Sequence, residues 1–349
     1  MKSKRQLFAT AFKIVIPLGI IGFLLYRIEP EQWNELAQHS KNYPMLLGAL
    51  LVAVAAVSLS FARWCLLVRC QGIQLTMLEA FRLGAICFLL NFVSAGSVGG
   101  DLFKAIFLAK RRPGRRVQAV ASVLVDRGVG LYGLLLLSSA AFLFHHRDHP
   151  SSVGSEDMDQ LKLGAAILVG LGTLVLALLV FGGRFVDRLV QWGSTVPMVG
   201  GLVQRIGPPL RMFHDHPIAF GMSILMSIGV HVMLTCSMYL IACSLYPSVP
   251  TLAEHFIIVP IGMLASALPL TPAGIGVFEA AIDWLYKLIP AESTNASGTL
   301  IALVFEMVKV VIAICGTVFY WTAGAEVRES LEEAEHADED RATGATPLG

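Results

Sequence analysis

Charge is what this sequence has least of. Only 15% of its 349 residues are Asp, Glu, Lys or Arg, against roughly 25% in an average soluble domain. Hydrophobic residues make up 55% of the chain, which excludes an ordinary soluble fold and points to an integral membrane protein. The net charge is only +1, so there is no basic excess of the kind that marks a nucleic-acid partner. Cysteine is sparse as well. Cys65, Cys70, Cys87, Cys236, Cys243 and Cys315 all lie in apolar segments, and no two have C-x-x-C spacing. They read as small buried hydrophobes rather than as metal or disulfide chemistry, and no cofactor is implied. His145, His146 and His149 cluster without regular ligand spacing, so they read as part of an exposed loop. The G-x-x-x-x-G-K-S/T loop of ATP-driven machines is missing, which excludes that energy source within the chain.

What the chain does have is long apolar runs. Six of them, Ala11–Ile28, Tyr43–Val68, Val117–Phe144, Leu161–Phe181, Ile218–Tyr246 and Leu300–Trp321, can each cross about 30 Å of hydrocarbon as a helix. The first follows Lys2, Lys4 and Arg5 and is followed by Y-R-I-E-P-E-Q-W, which has no small-residue cleavage site. It reads as an uncleaved helix whose N-terminus is cytoplasmic. Arg63 and Arg69 stand near the end of the second run, where their stems can snorkel to an interface. His231, in the middle of the fifth, reads as a packed polar contact between helices, with a proton relay as the other reading. Residues 182–217 carry Arg184, Arg188, Arg205 and Arg211 among apolar residues and prolines, a pattern suited to an interfacial cytoplasmic segment. Residues 1–325 form one membrane domain, and 326–349 an acidic tail read as disordered and cytoplasmic.

Two stretches break the apolar pattern. Asn91 to Lys104 reads N-F-V-S-A-G-S-V-G-G-D-L-F-K. A continuous helix gains nothing from three close glycines, and a lipid-facing Asp101 or Lys104 would be costly. The expectation is a broken or re-entrant hairpin beside a polar cavity, because non-helical backbone survives at membrane depth only inside protein or against water. Leu268 to Glu279, L-P-L-T-P-A-G-I-G-V-F-E, is its echo. Thr76-x-x-Glu79-x-Phe81 matches Thr251-x-x-Glu254-x-Phe256 at an offset of 175 residues, and Ala95-Gly96 with Asp101 matches Ala273-Gly274 with Glu279 at 178. The repeat halves are about 43–144 and 218–322.

Orientation follows from the basic loop Lys110, Arg111, Arg112, Arg115 and Arg116, which belongs in the cytoplasm. Counting spans from a cytoplasmic N-terminus brings the first hairpin in from the cytoplasm and the second in from outside. The predicted fold is therefore an all-α polytopic membrane protein with about six full spans plus two re-entrant or broken hairpins. These are arranged as an inverted repeat, a pattern shared by transporters.

At Asn91, at A-G-S-V-G-G-D-L-F-K from Ala95 to Lys104, at Asp126-Arg127 after the basic loop, and at Leu268 to Glu279, the chain resembles the lysylphosphatidylglycerol synthase transmembrane region family, the flippase-like domain. The resemblance runs from about residue 10 to 322. It implies a bacterial inner (plasma) membrane protein with both termini cytoplasmic. Relatives use this domain to move aminoacylated phosphatidylglycerol across the bilayer and also carry a soluble aminoacyl-transferase domain. This chain ends at Gly349, so only the translocase half is expected here, alongside a possible separate soluble partner enzyme. In the last span, Glu306 and Lys309 stand where the family leads one to expect an arginine.

A translocated lipid with an anionic headgroup needs donors and positive charge in place of water. Lys104 and Arg127 are the candidates to bind phosphate; Asp101, Asp126 and Glu279 would orient them or take an amine or proton. Gly96, Gly99, Gly100, Gly274 and Gly276 would admit backbone close to the ligand, and Asn91, Ser94, Thr271 and Pro272 complete the two motifs. A purely structural reading competes: Asp101 with Lys104, and Glu306 with Lys309, are each three apart and would neutralise one another on one helix face. Asp126 and Arg127 are adjacent and need partners elsewhere. The functional expectation is an inner-membrane translocase for an anionic phospholipid or lipid-linked phosphate, not an enzyme. The alternatives are a membrane-embedded enzyme acting on a lipid phosphate or lipid-linked sugar, and a membrane scaffold subunit.

Overall fold

A computed structural model describes residues 26, 34, 41–93, 99–111, 114–145, 163–164, 166–167, 169–174, 215–267, 276–290 and 294–321. The run Ala11–Ile28 lies outside these except for Tyr26; so do His146, His149 and most of residues 182–217, and the described part of Leu161–Phe181 is helical. The helices whose bounds fall among the described residues are, in order, α1 Tyr43–Cys70, α2 Met77–Val93, α3 Gly99–Arg111, α4 Arg116–His145, α5 Pro217–Leu245, α6 Leu252–Ala267, α7 Val277–Leu288 and α8 Gly298–Trp321. No strand occurs among the described residues. Tyr43–Cys70, Arg116–Phe142 and Pro217–Leu245 are long and apolar enough to cross a membrane. The four expected spans that fall on described residues match α1, α4, α5 and α8 to within two residues at each end.

The chain divides into two compact units. One takes its described residues from 1–55, 84–100 and 233–324, the other from 56–83, 101–232 and 325–349.

In the first unit, α1 and α5 run antiparallel. The Asn42 N–H donates to the Ser244 carbonyl at 3.2 Å. Seven residues on along α1 and seven back along α5, the Ser237 hydroxyl donates to the Ala49 carbonyl at 2.8 Å. Large apolar side chains at Leu47 and Leu51 point outward while Ala49 and Ala53 are buried. Lipid is as apolar as leucine, so small residues that let backbones approach make the interface and bulky ones face the tails. α6 packs on α7, and α7 on α8.

Each interrupted stretch is flanked by helices that fold back on each other. The Gly100 N–H donates to Asn91 Oδ1 at 3.0 Å, and a Cβ at Gly100 would strike the Cys87 carbonyl. Thirteen residues of continuous helix would hold Cys87 and Gly100 about 20 Å apart, so the chain reverses between them. On the other stretch, Gly262 of α6 faces Ile282 and Phe278 of α7.

The two T-x-x-E matches turn out to be capping boxes. Thr76 N donates to Glu79 Oε2 at 2.8 Å and Glu79 N to Thr76 Oγ1 at 3.2 Å. Thr251 N donates to Glu254 Oε2 at 2.7 Å and Glu254 N to Thr251 Oγ1 at 3.3 Å. Each box satisfies two N–H groups that a helix start leaves without partners, so α2 and α6 begin in the same way.

In the second unit, α4 and α5 meet through small residues. Ser227 donates to the Gly130 carbonyl at 3.3 Å, and a Cβ at Gly133 would strike Ser227. His231 Nε2 lies 3.0 Å from the Gly130 carbonyl, which makes it the packed polar contact between helices. One expectation is overturned. Arg63 does not snorkel; it is buried at 7% exposure because a carboxylate on α4 holds it.

The two close approaches differ in what they would meet. The obstacle at Gly100 is backbone, whereas at Gly262 it is the far end of Ile282. Gly100→Ala is expected to cost about 1–3 kcal/mol of stability and Gly262→Ala clearly less, read as thermal unfolding in detergent. Equal losses would contradict the assigned contact.

Candidate functional site: buried charges in each unit

Adjacent residues on a helix point about 100° apart, so Asp126 and Arg127 of α4 cannot share a partner. In the second unit each finds its own. Asp126 Oδ1 accepts from Arg63 Nε of α1 at 2.9 Å, and its Oδ2 lies 3.7 Å from Lys104 Nζ of α3. Arg127 Nε pairs with Asp101 Oδ2, also of α3. Asp101 and Lys104, three apart and so on one face of α3, therefore reach across to α4 instead of neutralising each other. This corrects the structural alternative read from the sequence. The opposite charges on α4 stand at the same level, and inter-helix pairing satisfies four groups where i,i+3 pairing would leave Asp126 and Arg127 without these partners.

Among the described residues, three cations thus face two carboxylates. The side chains of Arg63, Lys104, Asp101 and Asp126 are all at least four-fifths buried, whereas Arg127 is 47% exposed. Lys104 Nζ also sits 4.7 Å from the centre of the Trp64 ring, a cation–π contact that strengthens when water is excluded. Trp64 is fully buried, and among the described residues its indole N–H has no acceptor. Gly130 leaves room here: a Cβ would lie 3.4 Å from an Arg63 guanidinium nitrogen.

The first unit holds the remaining predicted residues. Gly99 and Gly100 are buried in the first turn of α3, with Asn91 bonded to Gly100. Gly276 adopts φ +91°, the left-handed region, and precedes α7. Its N–H donates to Glu279 Oε2 at 2.5 Å, so Glu279 closes the start of α7 as Glu79 and Glu254 close α2 and α6. Glu279 is buried at 2% exposure. On α8, Glu306 pairs with Lys309 within the helix, as the spacing predicts. Ser94, Gly96, Thr271, Pro272 and Gly274 lie outside the described residues. Among the described residues no group of three or more His, Cys, Asp or Glu side chains is placed to hold a metal ion.

The sequence reading missed Arg63 and Trp64. One signal could have found Arg63. Asp126 needed a cation from another helix, and Arg63 lies seven residues before the end of α1, about 10 Å inside it and too deep for easy snorkelling.

Apolar helices, outward-facing leucines and ion pairs set inside them define a multi-span helical membrane protein. The family described as the Lysylphosphatidylglycerol synthase TM region matches residues 10–316, and the chain belongs to it. The glycosyltransferase AglD of Haloferax volcanii is similar at 27% identity, over 63% of this chain and 39% of its own length. This chain therefore spans about two-fifths of that relative.

Removing a cation should cost most where its partner is buried. Arg63→Met is expected to lose about 3 kcal/mol, as when one partner of a buried pair is removed. Arg127→Met, half in solvent, is expected to lose about 1 kcal/mol or less. Thermal unfolding of the purified variants measures both, and the reverse order would contradict the pairing scheme.

Proposed function

We propose that the protein is a translocase, not an enzyme, for an anionic phospholipid or a lipid-linked phosphate. The observation that carries this reading is the cation cluster in the second unit. Arg63, Lys104 and Arg127 gather there with Asp101 and Asp126, beside the Trp64 indole N–H that has no acceptor among the described residues. Positive charge gathered beside an indole N–H at membrane depth is suited to an anion. A phosphate oxygen would take that charge and the indole hydrogen bond together. Arg127, the most exposed of the three, is the group a headgroup would meet first. Family membership supports a lipid as cargo.

The rest of the proposal concerns arrangement. The paired capping boxes and the two reversed helix pairs support two hairpins related as an inverted repeat, re-entrant from opposite sides. Such a repeat would let one site open alternately to each leaflet. The proposed setting is a bacterial inner membrane with both termini cytoplasmic, and a separate soluble enzyme would supply a modified lipid. The name of the Haloferax volcanii relative favours a second reading, an enzyme acting on a lipid-linked sugar. That name belongs to a protein of which this chain covers 39%.

Reconstitution in liposomes separates the two. Wild-type protein is expected to move a fluorescent anionic lipid between leaflets, and Arg127→Ala to slow it about tenfold, the effect of losing roughly 1.4 kcal/mol of headgroup interaction. A wild type that moves no lipid but converts a lipid-phosphate substrate chemically would overturn the translocase reading.

A further inference from the structure

The first unit contains a charge imbalance of the opposite sign. Phe278 of α7 and Phe305 of α8 pack with ring centres 5.9 Å apart, which brings the next residue on each helix, Glu279 and Glu306, to the same level. Glu306 is 1% exposed and Glu279 2%, and the two carboxylates are close enough for their charges to interact. Lys309 pairs with Glu306 Oε1, and its Nζ lies 5.3 and 5.4 Å from the two phenylalanine ring centres. Each glutamate has one oxygen in use, Glu279 Oε2 on the Gly276 N–H and Glu306 Oε1 on Lys309. The other two, Glu279 Oε1 and Glu306 Oε2, are buried with no partner among the described residues.

The remaining titratable groups on the neighbouring helices are occupied elsewhere. Glu254 of α6 serves its capping box. His255 of α6 uses one ring nitrogen on the Thr251 carbonyl at 3.0 Å and the other on the Tyr286 hydroxyl of α7 at 2.7 Å. Asp283 of α7 pairs with Lys287 at 2.6 Å. Among the described residues, two buried carboxylates therefore share a single ammonium. An uncompensated buried charge costs several kcal/mol, by order of magnitude, and like carboxylates in one site resist ionising together. One bound proton removes the excess charge on the pair.

We infer that the buried Glu279 and Glu306 carboxyl groups form a proton-binding site that holds one proton. Taking up that proton from water changes the site, with Lys309, from one negative charge to none. The consequence for transport rests on the translocase reading; the proton itself does not. If lipid moves, its rate follows the protonation of this pair.

Infrared difference titration of the purified protein in lipid nanodiscs tests the site directly. Wild type is expected to show a protonated-carboxyl C=O band that titrates between mildly acidic and alkaline pH. Glu306→Gln is expected to abolish it, as is Glu279→Gln if that variant folds without its carboxylate cap. Lys309→Met is expected to keep the band to higher pH. In liposomes, wild-type lipid movement should change several-fold with pH and Glu306→Gln should flatten that dependence. The absence of a titrating band, or a band untouched by Glu306→Gln, overturns the inference even if lipid moves. A band lost on substitution, in a protein that moves no lipid, establishes the proton site and overturns the translocase reading instead.

Discussion

Among hydrocarbon chains a carboxylate or an amine has to meet its opposite within a few ångströms, and the second unit is organised by that demand. Because Asp126 and Arg127 are consecutive, α4 presents opposite charges in two directions, and each direction has to be answered. The face of α3 carrying Asp101 and Lys104 answers both, and Arg63 of α1 completes the set. Three helices are thereby fixed in rotation about their own axes. Apolar packing alone would do this poorly, since one leucine face resembles another. Among the described residues of the first unit one lysine stands with two buried glutamates, and there the inferred proton would take the place of a second cation.

Charge fixes rotation, and small residues fix distance. Ala49 against Ser237, Gly130 against Ser227 and Gly100 against the Cys87 carbonyl all bring backbones close enough for hydrogen bonds between helices. Without a hydrophobic drive to press helices together inside lipid, such contacts supply much of the cohesion. They also give Gly100 and Gly133 a packing role inside helices, where glycine is otherwise unfavourable.

The helices were legible in the sequence because length and apolarity are one-dimensional signals. Tyr43, Pro217 and Trp321 stand within a residue or so of the boundaries read from hydropathy alone. The T-x-x-E pairs were legible as landmarks, and their local chemistry explains why the same spelling recurs. Pairing was not legible. Asp101 with Lys104 satisfies every rule of helix spacing, yet the actual partners lie on α4, because the choice depends on how helices face one another in space. Arg63 was misread for a related reason: its depth inside α1 argues against snorkelling, but only the contact with Asp126 shows what holds it there. Of the glycine-rich motif residues, Gly100 packs against the Cys87 carbonyl and Gly276 takes the left-handed turn before α7, while Ser94, Gly96, Thr271, Pro272 and Gly274 fall outside the described residues.

The ring of Trp64, fully buried with the Lys104 ammonium 4.7 Å from its centre, has a consequence of another kind. Indole emission responds to a nearby charge, because the excited state redistributes electron density across the ring. Anything that neutralises or displaces Lys104 alters the field on this chromophore. The chain has five tryptophans, so a variant keeping only Trp64 would carry its own optical gauge of events at the cation cluster, with no label attached.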